Sequence, residues 1–287
     1  MIEPKVLKGF RDSLPQQEIV RQKLMTKVQS IFRSFGFVPI DTPALEYTEV
    51  LLGKGGGETD KQMFRFTDNG GRDVALRFDL TVPLARFVAA NYSSLAFPFK
   101  RYHISKVWRG EKPQKGRYRE FMQCDFDIIG VDNAQSDFEI LLLIHTCLSQ
   151  MGVGAFKVSV SHRGLLNKFL DKLGILDKNA EVLRAIDKLN KIGQDGVCQI
   201  LLEEGLNQEQ VSKLVEFISM EKTSFASTLS SLESMFGQTD EIIRLKQILS
   251  MMQACNIQDD FILDTSITRG LDYYTGIVYE TLLTDMP

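Results

Sequence analysis

The sequence predicts an α+β protein, an antiparallel β-sheet flanked by helices and interrupted by an all-helical insertion domain. Three observations predict it. Between Val74 and Ile129 apolar and polar residues alternate with period two, which sends successive side chains to opposite faces of extended chain. Ahead of this block, Leu24, Val28, Ile31, Phe32 and Phe35 recur at helical spacing. After it, helical spacing dominates from about Gly164 to Gln258. Strands with one apolar and one polar face suit a half-solvated antiparallel sheet with helices on its apolar side.

The elements follow in chain order. Ser13 stands three residues before Gln16, a capping-box spacing, and Pro15 lies where a missing N–H costs nothing, so a helix is expected from here to a left-handed stop at Gly36. "FVPIDTPALE" carries Pro39 and Pro43 and reads as extended, edge-like chain. "VALRFDLT" places Arg77, Asp79 and Thr81 on one strand face, and "YHISKVWRGE" groups His103, Ser105, Val107, Arg109 and Glu111. "EFMQCDFDII" sends Phe121, Gln123, Asp125 and Asp127 one way and Met122, Cys124, Phe126 and Ile128 the other. The intervening "KPQKGRY" is a Gly-containing hairpin connection. "DFEILLLIHTCLSQMG" reads as a helix and "FKVSVSH" as a strand. Leu165, Leu166, Phe169 and Leu170, then Leu183, Ile186 and Leu189, then Ile242, Leu245, Ile248 and Met252 mark the helical insertion. "DDFILDTSITRGLDYYTGIVYETLL" returns to two strand-like runs split by a loop. The expected domain plan is therefore 1–163, 164–258 and 259–287.

Composition narrows the function classes. With 44% apolar and 25% charged residues, 8 Pro and 21 Gly in 287, the chain has globular usage and enough length for a core without disulfides. A net charge of −3 argues against a surface that coats nucleic acid broadly, though not against a local basic site. Cys124, Cys147, Cys198 and Cys255 are scattered and His103, His145 and His162 lack ligand spacing, so no metal site is expected and a reducing, cytoplasmic setting fits. The longest aliphatic run, Ile140 to Ile144, is far too short for a membrane span. "GKGGG", Gly53 to Gly57, lacks the spacing of a phosphate-binding loop and reads as a mobile connection.

One stretch concentrates the chemistry. From Arg109 to Arg119 the chain gathers Arg109, Lys112, Lys115, Arg117 and Arg119 against the single acid Glu111. Guanidinium forks match phosphate oxygens. Phe121 then offers a ring to a planar base, and Gln123, Asp125 and Asp127 offer acceptors to an ammonium group or N–H donor. Each part has a plainer reading, a solvated turn for the cations and a core position for Phe121; their order along one strand is harder to produce by accident. A second cluster, "TRGLDYYTG", supplies Arg269, Tyr273 and Tyr274.

In these residues the chain resembles the catalytic region of the histidyl-tRNA synthetases, which are class II aminoacyl-tRNA synthetases. "KGFRDSLP", "GFVPIDTPALE", "LRFDLTVPLARFVA", "WRGEKPQKGRYREFMQCDFDIIG" and "RGLDYYTGIVYE" occur in the family's order. The resemblance implies the class II sheet and ATP-dependent activation of histidine to histidyl-adenylate, with transfer to tRNA(His). It assigns Arg109 and Arg269 to catalysis, with Arg109, Glu111, Arg117 and Phe121 on ATP. Histidine would be held by Asp79, Thr81, Arg109, Gln123, Asp127, Arg269, Tyr273 and Tyr274. Mg2+ would accompany ATP, and "PIDTPALE" matches the segment that packs two copies into a homodimer. The family continues past "GIVYE" into motif 3 and an anticodon-binding domain, so the resemblance covers a catalytic region that ends before motif 3. A regulatory relative, such as the synthetase-like subunit of ATP phosphoribosyltransferase, is the alternative, although Arg109, Glu111, Arg117, Phe121, Gln123, Arg269 and Tyr274 are all present and favour the enzyme.

Overall fold

In the computed structural model the described residues are 2–53, 63–268 and 274–285. The chain forms two compact units, Met1–Val131 and Asp132–Pro287.

In the first unit, helix α1 spans Pro15–Ser34. The capping box expected at Ser13 does not form. Pro15 takes the first helical position, which makes Leu14 the N-cap and leaves Ser13 one residue out of register. The helix stops at Gly36, whose φ is 80° as expected. α1 buries Ile31 and Phe32, and Phe32 lies 5.2 Å from the Tyr102 ring and 5.1 Å from the Phe126 ring. These two rings belong to strands β5, Phe99–Trp108, and β6, Glu120–Ile129, so α1 covers the apolar face of that pair. Burying a large apolar side chain of this kind contributes about 1.5–3 kcal/mol.

β1, Val38–Pro39, runs parallel beside β5, and β5 pairs antiparallel with β6. The sheet is thus mixed rather than purely antiparallel, because the proline-rich segment joins its edge along β5. A second sheet, fully antiparallel, orders β2 (Leu45–Tyr47), β4 (Asp73–Leu76) and β3 (Arg65–Thr67), with the short helix α2 (Thr48–Leu52) after β2. The period-two reading of residues 74–129 fails in one place. β4 ends at Leu76, and Thr81–Asn91 is helix α3, buried through Pro83 and Leu84. Asp79 accepts the Val82 N–H at 3.1 Å, and Pro83 sits in the first turn, where a missing donor is harmless. The "GKGGG" reading falls largely outside the described residues.

The second unit begins with α4, Ala134–Met151, held by a reciprocal cap between Asn133 and Ser136. Its sheet orders β8 (Phe261–Leu263), β7 (Phe156–His162) and β9 (Ile277–Leu283), with β8 parallel and β9 antiparallel to β7. Between β7 and β8 every long element is helical: α5 (Arg163–Lys172), α6 (Asn179–Ile186), α7 (Leu189–Glu203), α8 (Gln208–Ile218), α9 (Phe225–Phe236) and α10 (Asp240–Ala254). One core runs through the sheet and these helices, joining Val158, Val160, Leu170, Leu214 and Leu245.

Candidate functional site

The pairing of β5 with β6 sets the site. Val107 stands opposite Phe121, Ser105 opposite Gln123, His103 opposite Asp125 and Arg101 opposite Asp127. Opposite residues share a face, so the row expected from the sequence is one surface, away from the side covered by α1. That surface is rich in buried polar atoms. Among the described residues Gln123 Oε1, His103 Nδ1 and the Nε and Nη1 of Arg101 have no hydrogen-bond partner, and Arg101 Nη2 and Asp127 Oδ2 have only each other, as an ion pair at 2.5 Å. Unsatisfied buried groups are rare and costly, and their clustering on one face marks it as built for more than packing.

Arg109 extends this row. Its Nε donates to the Phe78 carbonyl at 3.1 Å, and the guanidinium carbon lies 5.1 Å from the Phe121 ring centroid. A cation and an aromatic face are therefore adjacent, with carboxylates further along the strand. Burial pushes Asp125 up to about 6 and holds Asp79 and Asp127 above the usual carboxylate range. Arg101 and Arg109 counter part of this effect at Asp125, whereas Asp127 and Asp79 add to it. His103 stays below its ordinary value because it is buried near Arg77, although it contacts Asp41 at 3.0 Å. Arg77, read from the sequence as part of the polar face, is a strut: it donates to the Thr42 and Lys106 carbonyls and the Ser105 hydroxyl.

The basic loop divides into exposed and anchored cations. Gln114 and Arg117 close its tip by backbone pairing. Arg117 is exposed and 3.8 Å from Glu111. Arg119 is spoken for, donating from Nε to the Glu111 carbonyl at 3.0 Å and from its backbone N–H to the Gly9 carbonyl at 2.8 Å. Gly9 has φ 89°, and a Cβ there would meet Arg119 Cγ at 2.8 Å, so this close approach requires glycine. Thr81 is exposed at the start of α3.

The remaining expected residues belong to the second unit. Tyr274 is half-buried, and Arg269 and Tyr273 lie outside the described residues. Arg163, missed in the sequence, is buried and ties two irregular segments together: its Nη1 donates to the Thr268 carbonyl and its N–H to the Gly276 carbonyl, both at 2.8 Å. Arg101 was also missed as a functional candidate, whereas Asp125 was read as one of the row of acceptors without a ligand group of its own. The signal for Arg101 was its place in the alternation of "KRYHIS", on the parity of His103 and Ser105. The three histidines have structural partners: Asp41 for His103, Asp260 for His145 and the Gly164 N–H for His162.

Known proteins are similar to this chain in sequence and fold. A histidine-tRNA ligase from Treponema denticola is 57% identical over 293 residues, covering 100% of this chain and 65% of that protein. One from Rhodopirellula baltica is 48% identical, with 100% and 66% covered. The chain thus spans just under two thirds of the length of these curated relatives. The crystal structure of histidyl-tRNA synthetase from Nostoc sp. PCC 7120 superposes with a TM-score of 0.87 at 31% identity, over 99% of this chain and 66% of that one. A Bacillus halodurans structure titled as an ATP phosphoribosyltransferase regulatory subunit/histidyl-tRNA synthetase superposes at 0.84, over 99% and 74%, but at 24% identity it speaks to the fold alone. The family profile described as histidyl-tRNA synthetase matches residues 9–286, and with it the chain belongs to the histidyl-tRNA synthetase family.

Proposed function

We propose that the protein is the catalytic region of a histidine-tRNA ligase, forming histidyl-adenylate from L-histidine and ATP and passing histidine to tRNA(His). The observation that carries this reading is the single face on which the Arg109 guanidinium lies over Phe121 and continues into Gln123, Asp125 and Asp127. Its order suits phosphate, adenine and amino acid in turn. Arg109 would meet the α-phosphate and the histidine carboxylate, Glu111 the adenine amino group, Arg117 the outer phosphates and Phe121 the adenine ring. Asp79, Thr81 and Gln123 would hold the α-ammonium group, Asp127 and Tyr274 would read the imidazole, and Tyr273 would be a further histidine contact. Mg2+ enters as part of the nucleotide substrate. Residues 1–163 and 259–287 would be the catalytic parts around a helical insertion at 164–258.

The chemistry needs no nucleophilic side chain. The histidine carboxylate oxygen attacks the α-phosphorus, and the bond to the β-phosphate oxygen breaks to release pyrophosphate. Charge grows on the nonbridging oxygens, where Arg109 and Arg269 supply fixed positive charge. A neutral imidazole has one donor and one acceptor, which Asp127 and a tyrosine hydroxyl complement. A substrate lacking either group leaves a buried partner unpaired, at about 1–3 kcal/mol.

A homodimer is part of the proposal; Val38, Leu45 and Tyr47, exposed apolar residues around "PIDTPALE", support it. No helix among the described residues is long and apolar enough to cross a membrane, and a cytoplasmic setting is proposed. Histidine-dependent ATP-pyrophosphate exchange tests the activity. Exchange that Arg269→Ala lowers by orders of magnitude, with ATP binding retained, is expected. Tight histidine binding with no exchange at all would point to a regulatory protein instead.

A further inference from the structure

We propose that Arg101 is a positioning residue for the carboxylate row: its buried guanidinium orients Asp127 and offsets the charge of Asp125, so that the site takes histidine with an uncharged ring. The inference rests on the assignment of Asp127 to the imidazole. Arg101 is fully buried and stands directly opposite Asp127, with Nη2 2.5 Å from Oδ2. The two groups form a buried ion pair, and among the described residues the guanidinium nitrogens have no further hydrogen-bond partner. A buried arginine held this way is a poor device for stability, since desolvation offsets much of the attraction. It is a good device for fixing one carboxylate oxygen and leaving the other to a ligand.

The groups facing Asp125 set the charge. Arg101 and Asp127 share its strand pair, His103 stands opposite, and Asp79 and Arg109 act on it from neighbouring segments. Burial and Arg77 hold His103 below its ordinary value, which disfavours a positive charge there. Two guanidinium groups therefore face three carboxylates, which leaves one net negative charge. Without Arg101 the excess becomes two, and the surroundings then draw a proton onto the bound ring or onto Asp125. Loss of Arg101 should thus couple histidine binding to proton uptake, an effect that loose packing alone does not produce.

The test is calorimetry of histidine binding to the purified protein at pH 6 to 8, in buffers of different ionisation enthalpy, with melting temperatures as a folding control. The wild type should bind at pH 8 without proton uptake. Arg101→Met should bind about ten-fold or more weakly at pH 8, recover affinity towards pH 6 and take up a proton. Arg101→Met with Asp125→Asn restores the single excess charge, so uptake should vanish while affinity stays reduced, because Asp127 is no longer clamped. Wild-type affinity and pH profile in Arg101→Met would overturn the inference. If that variant does not fold, wild-type affinity in the double variant overturns it equally. Asp127→Asn separates the two readings. Unchanged affinity there sinks the assignment of Asp127 to the ring, whereas a loss there with no effect at Arg101 sinks only the role of Arg101.

Discussion

At the scale of single residues, Phe121 and Asp125 carry opposite kinds of information. Phe121 lies beneath the Arg109 guanidinium, an aromatic platform already paired with a cation. Phe121→Ala should weaken ATP binding by about 1–3 kcal/mol, the usual contribution of a base stacked on an aromatic ring, while histidine affinity changes little. Separate ATP and histidine titrations would show it; equal losses for both ligands would mean that the ring only packs. Asp125 pays in stability for its position. Its folded-state value of about 6 lies above the usual 3.8 because of burial, so the protonated form favours folding. That stabilisation is complete below pH 3.8 and is lost as the pH rises through about 6. Asp125→Asn should therefore raise the melting temperature relative to wild type at pH 8 and much less at pH 4. A constant difference across that range would contradict the burial account.

Among the elements, the basic loop and α3 show how sequence pattern and tertiary context share the work. Arg109 to Arg119 looked like a uniform cluster of cations, yet Arg119 is consumed by the carbonyl of Glu111 and the Gly9 strap. Alternation cannot reveal this, because the partner lies about a hundred residues earlier in the chain. Gly9→Ala should cost about 1–2 kcal/mol for the left-handed backbone alone and displace Arg119, lowering both melting temperature and ATP affinity. Unaltered values for both would show that the strap yields without consequence. α3 was hidden for a different reason. "DLTVPLARF" continues the alternation of β4 for a few residues before Asp79 and Pro83 start a helix, and a short overlap cannot separate period two from 3.6. The parallel edge strand β1 was likewise out of reach, since two residues of edge-like chain do not say in which direction their partner runs.

For the whole molecule, the two units have cores of different character, one built on α1 and a mixed sheet and the other on helices around β7. His162 gives the second unit a pH response of its own. Burial lowers it to about 4 from the usual 6.5, and its neutral Nδ1 accepts the Gly164 N–H at 3.1 Å at the start of α5. The stabilisation is complete above pH 6.5 and is lost as the pH falls through about 4, on the order of 3 kcal/mol in all. Denaturant unfolding followed by hydrogen exchange in α5 and β7 should show this loss, and His162→Gln, which cannot titrate, should flatten it. The same acid dependence in that variant would assign the effect elsewhere.

What the sequence determined by itself was periodicity and order: the β5 and β6 alternation, the helical run after β7, and the succession of cation, ring, amide and carboxylate in residues 109–127. These are local properties, because side-chain direction along a strand or helix follows from the backbone repeat alone. Tertiary structure decided which charged residues work and which only hold. Arg77 and Arg119 became struts, Arg101 became the buried partner of Asp127, and Arg163 bound Thr268 to Gly276. The physical reason is that a guanidinium's role depends on where its acceptors lie and how far water is excluded, and both are set by chain segments distant in sequence.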